Sequence, residues 1–253
     1  MITRKTCEFI WVLPLSKAKQ KNFSLKSFSD FKCKIIESDL TGMLLSIDNN
    51  EVWVKLTGTF NAYNLLAVYS VAVLLEEDTH DILQAMSLIS PAEGRFETFK
   101  NKKDNVCILD YAHTEDALRN VISTINSIKK NNQNLITVFG CGGGRDKLKR
   151  PLMTRVAYDL SSKIILTSDN PRNEPIDDII SDMLKGIEND DLSKVLIIND
   201  REQAIKTAFA IAQTSDIILI AGKGHEKFQE INGEKMPFDD KEKILELINQ
   251  NIK

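Results

Sequence analysis

Net charge is scarce in this sequence: −3 over 253 residues. So slight an acidic balance leaves no electrostatic footprint for a nucleic acid or an anionic membrane surface. A local run of cations in such a chain is better matched to one small anion than to a polymer. Cysteine is sparse too. Cys7, Cys33, Cys107 and Cys141 form no C-x-x-C pair and no zinc spacing, which suits a reducing cytoplasm. No apolar run approaches the roughly 18 residues a membrane helix needs. The short apolar piece at 9–15 is followed by Lys17, Lys19 and Lys21 and by no small-residue cleavage site. It therefore reads as a strand, not a signal peptide. There is no internal repeat and no low-complexity tract. A Walker A motif is missing as well, because neither Ser nor Thr follows Gly222-Lys223 and no glycine precedes Lys223 at the required spacing. Gly140–Arg145 fails the dinucleotide fingerprint, since Arg145 stands where the third glycine belongs. That disfavours a nicotinamide oxidoreductase.

What is present is a 42% apolar chain, the composition of one large or two modest globular domains. Residues 1–57 read as β-rich, with short runs at 33–36, 42–47 and 51–56. Asp48-Asn49-Asn50 makes a turn, so 43–47 and 52–56 are expected to form an antiparallel hairpin. The polar segment 16–30 gives little signal. An open meander of this kind shows no obvious core of its own and looks like the end of a domain. Residues 62–75 are apolar on nearly every face, the mark of a buried helix. A second, amphipathic helix is expected at 78–89. Pro91 and Gly94 punctuate a boundary, and beyond it strand and helix patterns alternate. Strands are expected at 106–109, 135–139, 163–167, 195–198 and 216–221. Helices are expected at 115–128, 150–160, 176–187 and 201–212. This alternation implies an α/β fold with a parallel sheet and helices on both faces. Ligands of such sheets bind outside the carboxyl ends of the strands.

The polar loops fall at those ends. After the second parallel strand come Gly140, Gly142, Gly143 and Gly144, then Arg145, Asp146, Lys147, Lys149 and Arg150. A glycine turn followed by cations is what an anionic ligand requires, although a solvated basic loop has the same composition. In 110–116, His113 lies between Asp110 and Asp116 with no nucleophile at hand. Binding a ribose or base fits it better than general-base work, and Asp116 alternatively caps the following helix. In 168–175, Pro171 and Pro175 stiffen the loop, Arg172 offers a donor fork to a carboxylate, and Asp169 and Asn170 suit an ammonium. Such a loop can hold an amino acid by both charged ends, or be a polar turn with a surface arginine. Glu226, after Gly222, also suits a cationic amine. Asn61 and Asn64 sit at a helix start, where they either cap it or read the edge of a flat heterocycle.

Six of these stretches occur in one order: Gly58-Thr59-Phe60-Asn61-Ala62-Tyr63-Asn64, Glu93-Gly94-Arg95-Phe96-Glu97, Asp110-Tyr111-Ala112-His113-Thr114-Glu115-Asp116, the run from Val138 to Met153, Asp169-Asn170-Pro171-Arg172, and Ala221-Gly222-Lys223-Gly224-His225-Glu226. Together they resemble the Mur ligases of peptidoglycan synthesis, from about residue 31 onward, and among them the diaminopimelate-adding branch. The resemblance implies a Rossmann-like C-terminal domain with a mostly parallel sheet at 91–253. Before it, 1–90 would be the β-rich and helical end of the central ATPase domain. The family's P-loop and its carbamylated, magnesium-associated lysine would then lie upstream of Met1. It implies ATP and Mg2+ as cofactors, and UDP-N-acetylmuramoyl-L-alanyl-D-glutamate and meso-diaminopimelate as substrates. An acyl phosphate on the glutamyl γ-carboxylate would be attacked by the incoming amine, in a cytoplasmic monomer. Arg145, Asp169, Asn170, Pro171, Arg172, Gly222 and Glu226 would surround the diaminopimelate. Arg145 and Arg172 would meet its distal carboxylate and Glu226 its distal ammonium. Asn61, Asn64, Arg95, Asp110, His113 and Asp116 would contact ATP. No residue of this chain is assigned to catalysis or to a metal, and the chain alone is expected to be inactive. Rival readings are a lysine-adding sibling, a folylpolyglutamate-type ligase, and a non-enzymatic amino-acid or nucleotide sensor. Arg172 in its motif argues against the first two. The family usually has Asp where Gly144 stands and Pro where Glu115 stands.

Overall fold

The computed structural model describes residues 2–4, 20–101, 104–188 and 190–250, and the strand expected at 9–15 lies outside them. The chain falls into two compact units, one ending at Pro91 and one starting at Ala92.

In the first unit β1 (Ile2–Arg4), β2 (Lys21–Ser24), β3 (Phe31–Asp39), β4 (Gly42–Ile47) and β5 (Asn50–Val54) form one sheet in that order. The β1–β2 and β2–β3 pairs are parallel, and β3–β4–β5 is an antiparallel meander. The hairpin is tighter than expected. Ile47 pairs with Asn50 and Met43 with Val54, leaving only Asp48 and Asn49 in the turn, at φ 45° and 70°. Two consecutive left-handed residues are what a two-residue hairpin needs to match strand twist, and Asp and Asn tolerate that region best after glycine. The polar stretch hid β2. Its Lys21 and Asn22 are tied to Asp30, while Phe23 and Ser24 turn inward.

This unit does have a core, contrary to the sequence reading. Phe31, Met43, Leu45, Ile47 and Val54 are buried on one sheet face. That face is covered by α1 (Thr59–Leu74) and α2 (Thr79–Leu88) through Leu66, Tyr69, Ile82 and Met86. The α1 expectation also fails in two ways. Gly58, at φ 98°, is the N-cap, no side chain among the described residues caps the helix, and Asn61 lies inside the first turn. Its Nδ2 donates backwards to the Thr57 carbonyl at 2.8 Å. And the apolar helix is buried on one face only: Val68, Val71 and Leu75 are 54%, 47% and 70% exposed.

The second unit is built on a six-stranded sheet ordered β10-β9-β8-β11-β7-β6. Its strands are β6 (Glu97–Lys100), β7 (Val106–Asp110), β8 (Leu135–Cys141), β9 (Lys163–Ser168), β10 (Val195–Ile197) and β11 (Ile217–Ala221). Only β6 runs antiparallel, at one edge; it was not anticipated from its sequence. The chain steps outward from β7 through β8 and β9 to β10, then returns to place β11 between β7 and β8. The helices are α3 (Glu115–Ile128), α4 (Lys149–Leu160), α5 (Ile176–Leu184), α6 (Arg201–Ile211) and α7 (Asp240–Gln250). Ala204, Ile205 and Ala208 of α6 and Ile244 of α7 cover one face of the sheet, packing on Leu109, Val138, Ile165 and Ile220. Helices α3 and α4, and α4 and α5, pack side by side, bringing Leu118, Ile122, Met153, Val156 and Ile179 into the core. A hairpin of β12 (Phe228–Ile231) and β13 (Glu234–Pro237) follows β11. Neither it nor α7 was read from sequence. The fold class is α/β, with the parallel sheet expected.

Candidate functional site

Parallel pairing brings the strand ends level. Ala221 pairs with both Asp110 and Phe139, and Phe139 with Leu166. The loops after β7, β8, β9 and β11 therefore open on the same side of the sheet. They enclose a cavity of about 510 Å3 lined by Tyr111, His113, Thr114, Gly142, Arg145, Asp146, Lys149, Asp169, Asn170, Arg172, Gly222 and Glu226. It lies where the strand order reverses, which is where open α/β sheets bind ligands.

On the β9 and β11 side the geometry is set by a lysine. Lys223 is fully buried; its Nζ donates to Asn170 Oδ1 and to Glu226 Oε2, both at 3.1 Å. Asp169 Oδ1 stands 3.7 Å from the same ammonium. The ammonium that Asn170 and Asp169 answer within the chain is thus Lys223's own. Asn170 Nδ2 donates to Glu226 Oε2 at 2.8 Å, and its Oδ1 also accepts from the Glu230 N–H. Asp169 is buried, which pushes its carboxyl above the usual carboxylate range against the pull of Arg201 and Lys223. Its Oδ1 has no hydrogen-bond partner among the described residues. Beneath it the fully buried Arg201 binds Asp240 with Nε and Nη2 at 2.8 and 2.7 Å. It also donates to the carbonyls of Ser168 and Ala221, tying the ends of β9 and β11 together.

On the glycine-loop side, the basic run is mostly spent on the protein itself. Arg150 is fully buried and grips both oxygens of Glu174 at 2.8 Å, as well as Asp182 and the Gly142 carbonyl. Lys147 also reaches Glu174 at 2.8 Å, and Lys149 donates to the His113 carbonyl. These contacts hold the Glu174 carboxyl well below the usual carboxylate range, Arg150 first and Lys147 second. Arg145 is the exposed cation left over, with no ion pair among the described residues. The expectation that the cations of this run, Arg145, Lys147, Lys149 and Arg150, serve an anion reduces to this one side chain. Arg172 joins it. A Cβ on Gly142 would lie 3.0 Å from Arg172 Nη1 and 3.7 Å from Arg145 Cγ, so the bare glycine gives Arg172 its room, whereas Arg145 would meet a Cβ only in ordinary contact. Arg172 sits at φ 54°. Its Nη1 donates to the Gly143 carbonyl at 2.8 Å, and its Nε is 3.3 Å from Glu230. Its fork is therefore aimed rather than free. Pro171 is buried and outside the cavity lining; its carbonyl packs where a Gly143 Cβ would be, at 1.9 Å.

The residues assigned to ATP are less closely gathered. His113 lines the cavity, its ring 4.6 Å from Tyr111, with Nδ1 2.9 Å from the Tyr111 carbonyl. Arg95 lies over the other part of this cluster, 5.0 Å from the Tyr111 ring. Asp110 is buried and accepts from the N–H groups of Phe96 and Ala112. Each oxygen receives one of these N–H groups, and each keeps a further lone pair able to accept. Asp116 is exposed in the first turn of α3, whose N-cap is Thr114, not Asp116. Asn61 and Asn64 belong to the first unit, where Asn64 is exposed.

Sequence reasoning missed Lys223, Arg150, Glu174, Gln229 and Glu230. Gln229 Nε2 donates to Ser168 Oγ and the Asp169 carbonyl, and Glu230 is bonded to Arg172 through side chain and backbone. Periodicity carries no signal for a hairpin that packs on loops. For Lys223 the signal was present, a lysine between two glycines after a buried strand, but it was read only as a failed phosphate motif.

The family model described as Mur ligase, glutamate ligase domain, matches residues 94–224, just over half the chain. The UDP-N-acetylmuramoyl-L-alanyl-D-glutamate–2,6-diaminopimelate ligase of Phocaeicola vulgatus is 50% identical over 232 residues, 92% of this chain and 48% of that protein. The ligase of the same name from Parabacteroides distasonis is 50% identical over 238 residues, 94% of this chain and 49% of that one. A solved structure of a UDP-N-acetylmuramoyl-L-alanyl-D-glutamate–2,6-diaminopimelate ligase has a TM-score of 0.66 at 37% identity. The match covers 93% of this chain and 48% of that one. This chain spans about half the length of the curated relatives it matches. The matched segment carries the loops after β7, β8 and β9 and the first half of the loop after β11, and on that ground the chain belongs to the Mur ligase family.

Proposed function

We propose that this chain is the acceptor-binding part of an ATP-dependent ligase that adds meso-diaminopimelate to UDP-N-acetylmuramoyl-L-alanyl-D-glutamate in the cytoplasm. Residues 1–90 would be the end of its central ATPase domain and 91–253 its C-terminal domain. The observation that carries the reading is the sorting of charge around one cavity. Arg145 and Arg172 flank Gly142, whereas Glu226 and Asp169 cluster about Lys223. Diaminopimelate has a carboxylate and an ammonium at its far end, and this arrangement offers a partner to each. Lysine has the ammonium but no distal carboxylate, so the two arginines select against it. Asn170 and Gly222 complete the wall, Asn170 as a fixed amide and Gly222 through its φ of 112°, and Pro171 backs it as a rigid support outside the lining. The names of the relatives point the same way.

ATP would be contacted by Asn61, Asn64, Arg95, Asp110, His113 and Asp116. ATP supplies the phosphoryl group that activates the γ-carboxylate for attack by the amine. Among the described residues no group of three or more His, Cys, Asp or Glu side chains could hold a metal ion. Magnesium is therefore assigned no ligand here and no step is routed through it. What this chain does is hold and orient the incoming amino acid.

The test is calorimetric titration of this chain with meso-diaminopimelate, with L-lysine as control, repeated on Arg172→Ala. Saturable binding of diaminopimelate at least tenfold tighter than lysine, and abolished in the variant, is expected. Equal heats for the two amino acids would refute the specificity.

A further inference from the structure

Lys223 is the largest gap between the sequence reading and the site. It is fully buried, so it cannot touch a ligand in the cavity, yet two residues of the cavity wall are bonded to it. An ammonium has three donors and no acceptor. Two are used at 3.1 Å, on Asn170 Oδ1 and Glu226 Oε2, and Asp169 Oδ1 lies 3.7 Å away. Consider what this does to each partner. Glu226 Oε2 receives both Lys223 and Asn170 Nδ2. Its Oε1 carries no hydrogen bond among the described residues and is the oxygen left for the cavity. Asn170 is locked too. Its Oδ1 faces two donors, Lys223 Nζ and the Glu230 N–H. A flipped amide would set its NH2 against both, which chemistry forbids.

We infer that Lys223 is the positioning residue of this site, a buried cation that decides which oxygen of Glu226 and which edge of Asn170 the ligand meets. The inference rests on the reading of the cavity as an amino-acid site for its consequence, but the arrangement of Asn170 and Glu226 can be tested without ligand. It also has a sign that simple charge does not. Asp169 and Glu226 place two carboxylates against one ammonium. On charge alone, removing Lys223 makes the pocket more negative and strengthens binding of a cationic amine. As a positioning residue, its removal frees Glu226 and Asn170 and weakens binding.

The experiment compares wild type with Lys223→Met, a neutral side chain of similar length. It uses calorimetric titration with meso-diaminopimelate and, without ligand, the NMR resonances of the Asn170 side-chain amide. The expected result is a preserved backbone spectrum and an Asn170 amide pair that moves toward the position of a freely rotating side chain, as far as its bonds to Glu226 and the Glu230 N–H allow. Affinity should fall at least tenfold, with partial recovery in Lys223→Gln, which keeps a donor. An unmoved amide pair, or affinity unchanged or raised, overturns the proposal. If wild type gives no heat with diaminopimelate while the amide pair still collapses in the variant, the acceptor reading fails and the positioning role stands. Should Lys223→Met not fold, the wild-type chain decides. A slowly exchanging Lys223 ammonium resonance with contacts to the Asn170 amide supports the role, and a freely exchanging one overturns it.

Discussion

Glycines 143 and 144 are neighbours in sequence and opposites in what they tolerate. A Cβ on Gly143 would fall 1.9 Å from the Pro171 carbonyl oxygen, a backbone atom that cannot swing aside, whereas nothing among the described residues lies within 4 Å of one on Gly144. Gly143→Ala should therefore cost about 3 kcal/mol or more, as overpacking that moves backbone does. It should also loosen the Arg172 contact to the Gly143 carbonyl. Gly144→Ala meets only the penalty of φ 61°, about 1 kcal/mol. Gly144→Asp should cost less than alanine because Asp enters that region more readily. Urea denaturation of the three variants checks the order. Glu174 gives a second prediction at this scale. Its carboxyl is depressed in the folded chain, so its stabilisation is fully present above the unfolded value near 4.5. That stabilisation is lost as pH falls through 4.5 toward the folded value. Glu174→Gln should lower stability at neutral pH and show a shallower decline than wild type below about pH 4.5, read from denaturation midpoints across a pH series. Parallel curves would remove Arg150–Glu174 as the acid-sensitive clasp.

The element that sequence could not supply, the β12–β13 hairpin, is the one that shapes the loop after β9. Arg172 donates its N–H to the Glu230 carbonyl and accepts from Asn232, so the loop is held as if it were a further strand of the hairpin. Gln229 adds two side-chain bonds to Ser168 and Asp169. Gln229→Ala leaves those buried acceptors short of a donor, at a cost of about 2 kcal/mol. Faster amide exchange should appear in 169–172 before it appears in the sheet. Uniform acceleration across β8 and β11 would mean that the hairpin supports the whole unit instead of the loop. Below the same loop, the buried Arg201–Asp240 pair links α6 to α7. The first and last helices on that face are thus joined by charge as well as by apolar packing.

At the scale of the whole chain, the missing Walker A motif and the half-length match to relatives bear on activity. Positioning an amino acid does not activate a carboxylate; a phosphoryl donor must be held by its terminal phosphates. The chain incubated with ATP, the dipeptide nucleotide and meso-diaminopimelate is expected to release no ADP above background in a coupled assay. Binding of diaminopimelate should nevertheless remain measurable. Turnover by the purified chain would show that its own loops hold the phosphates.

The alternation of apolar runs and polar loops was enough to determine the α/β class and the helix starting at Glu115. It also indicated that the loops after β7, β8, β9 and β11 gather at one edge of the sheet, where the structure has a cavity. Both follow from local physics, since a buried parallel strand is apolar on both faces and its ligand loops must be polar and glycine-rich. Six motifs in order were enough to indicate the family. Tertiary structure alone decided which charges are available. Arg145, Lys147, Lys149 and Arg150 look equivalent in sequence, and only burial and partners separate the first from the rest. Asn61 was placed at the helix cap by its type, but Gly58 holds that position because its φ of 98° suits glycine. Lys223 acquired its role from residues 53 positions before it and three after it. Such a contact is invisible until β9 and β11 are set one strand apart in the sheet.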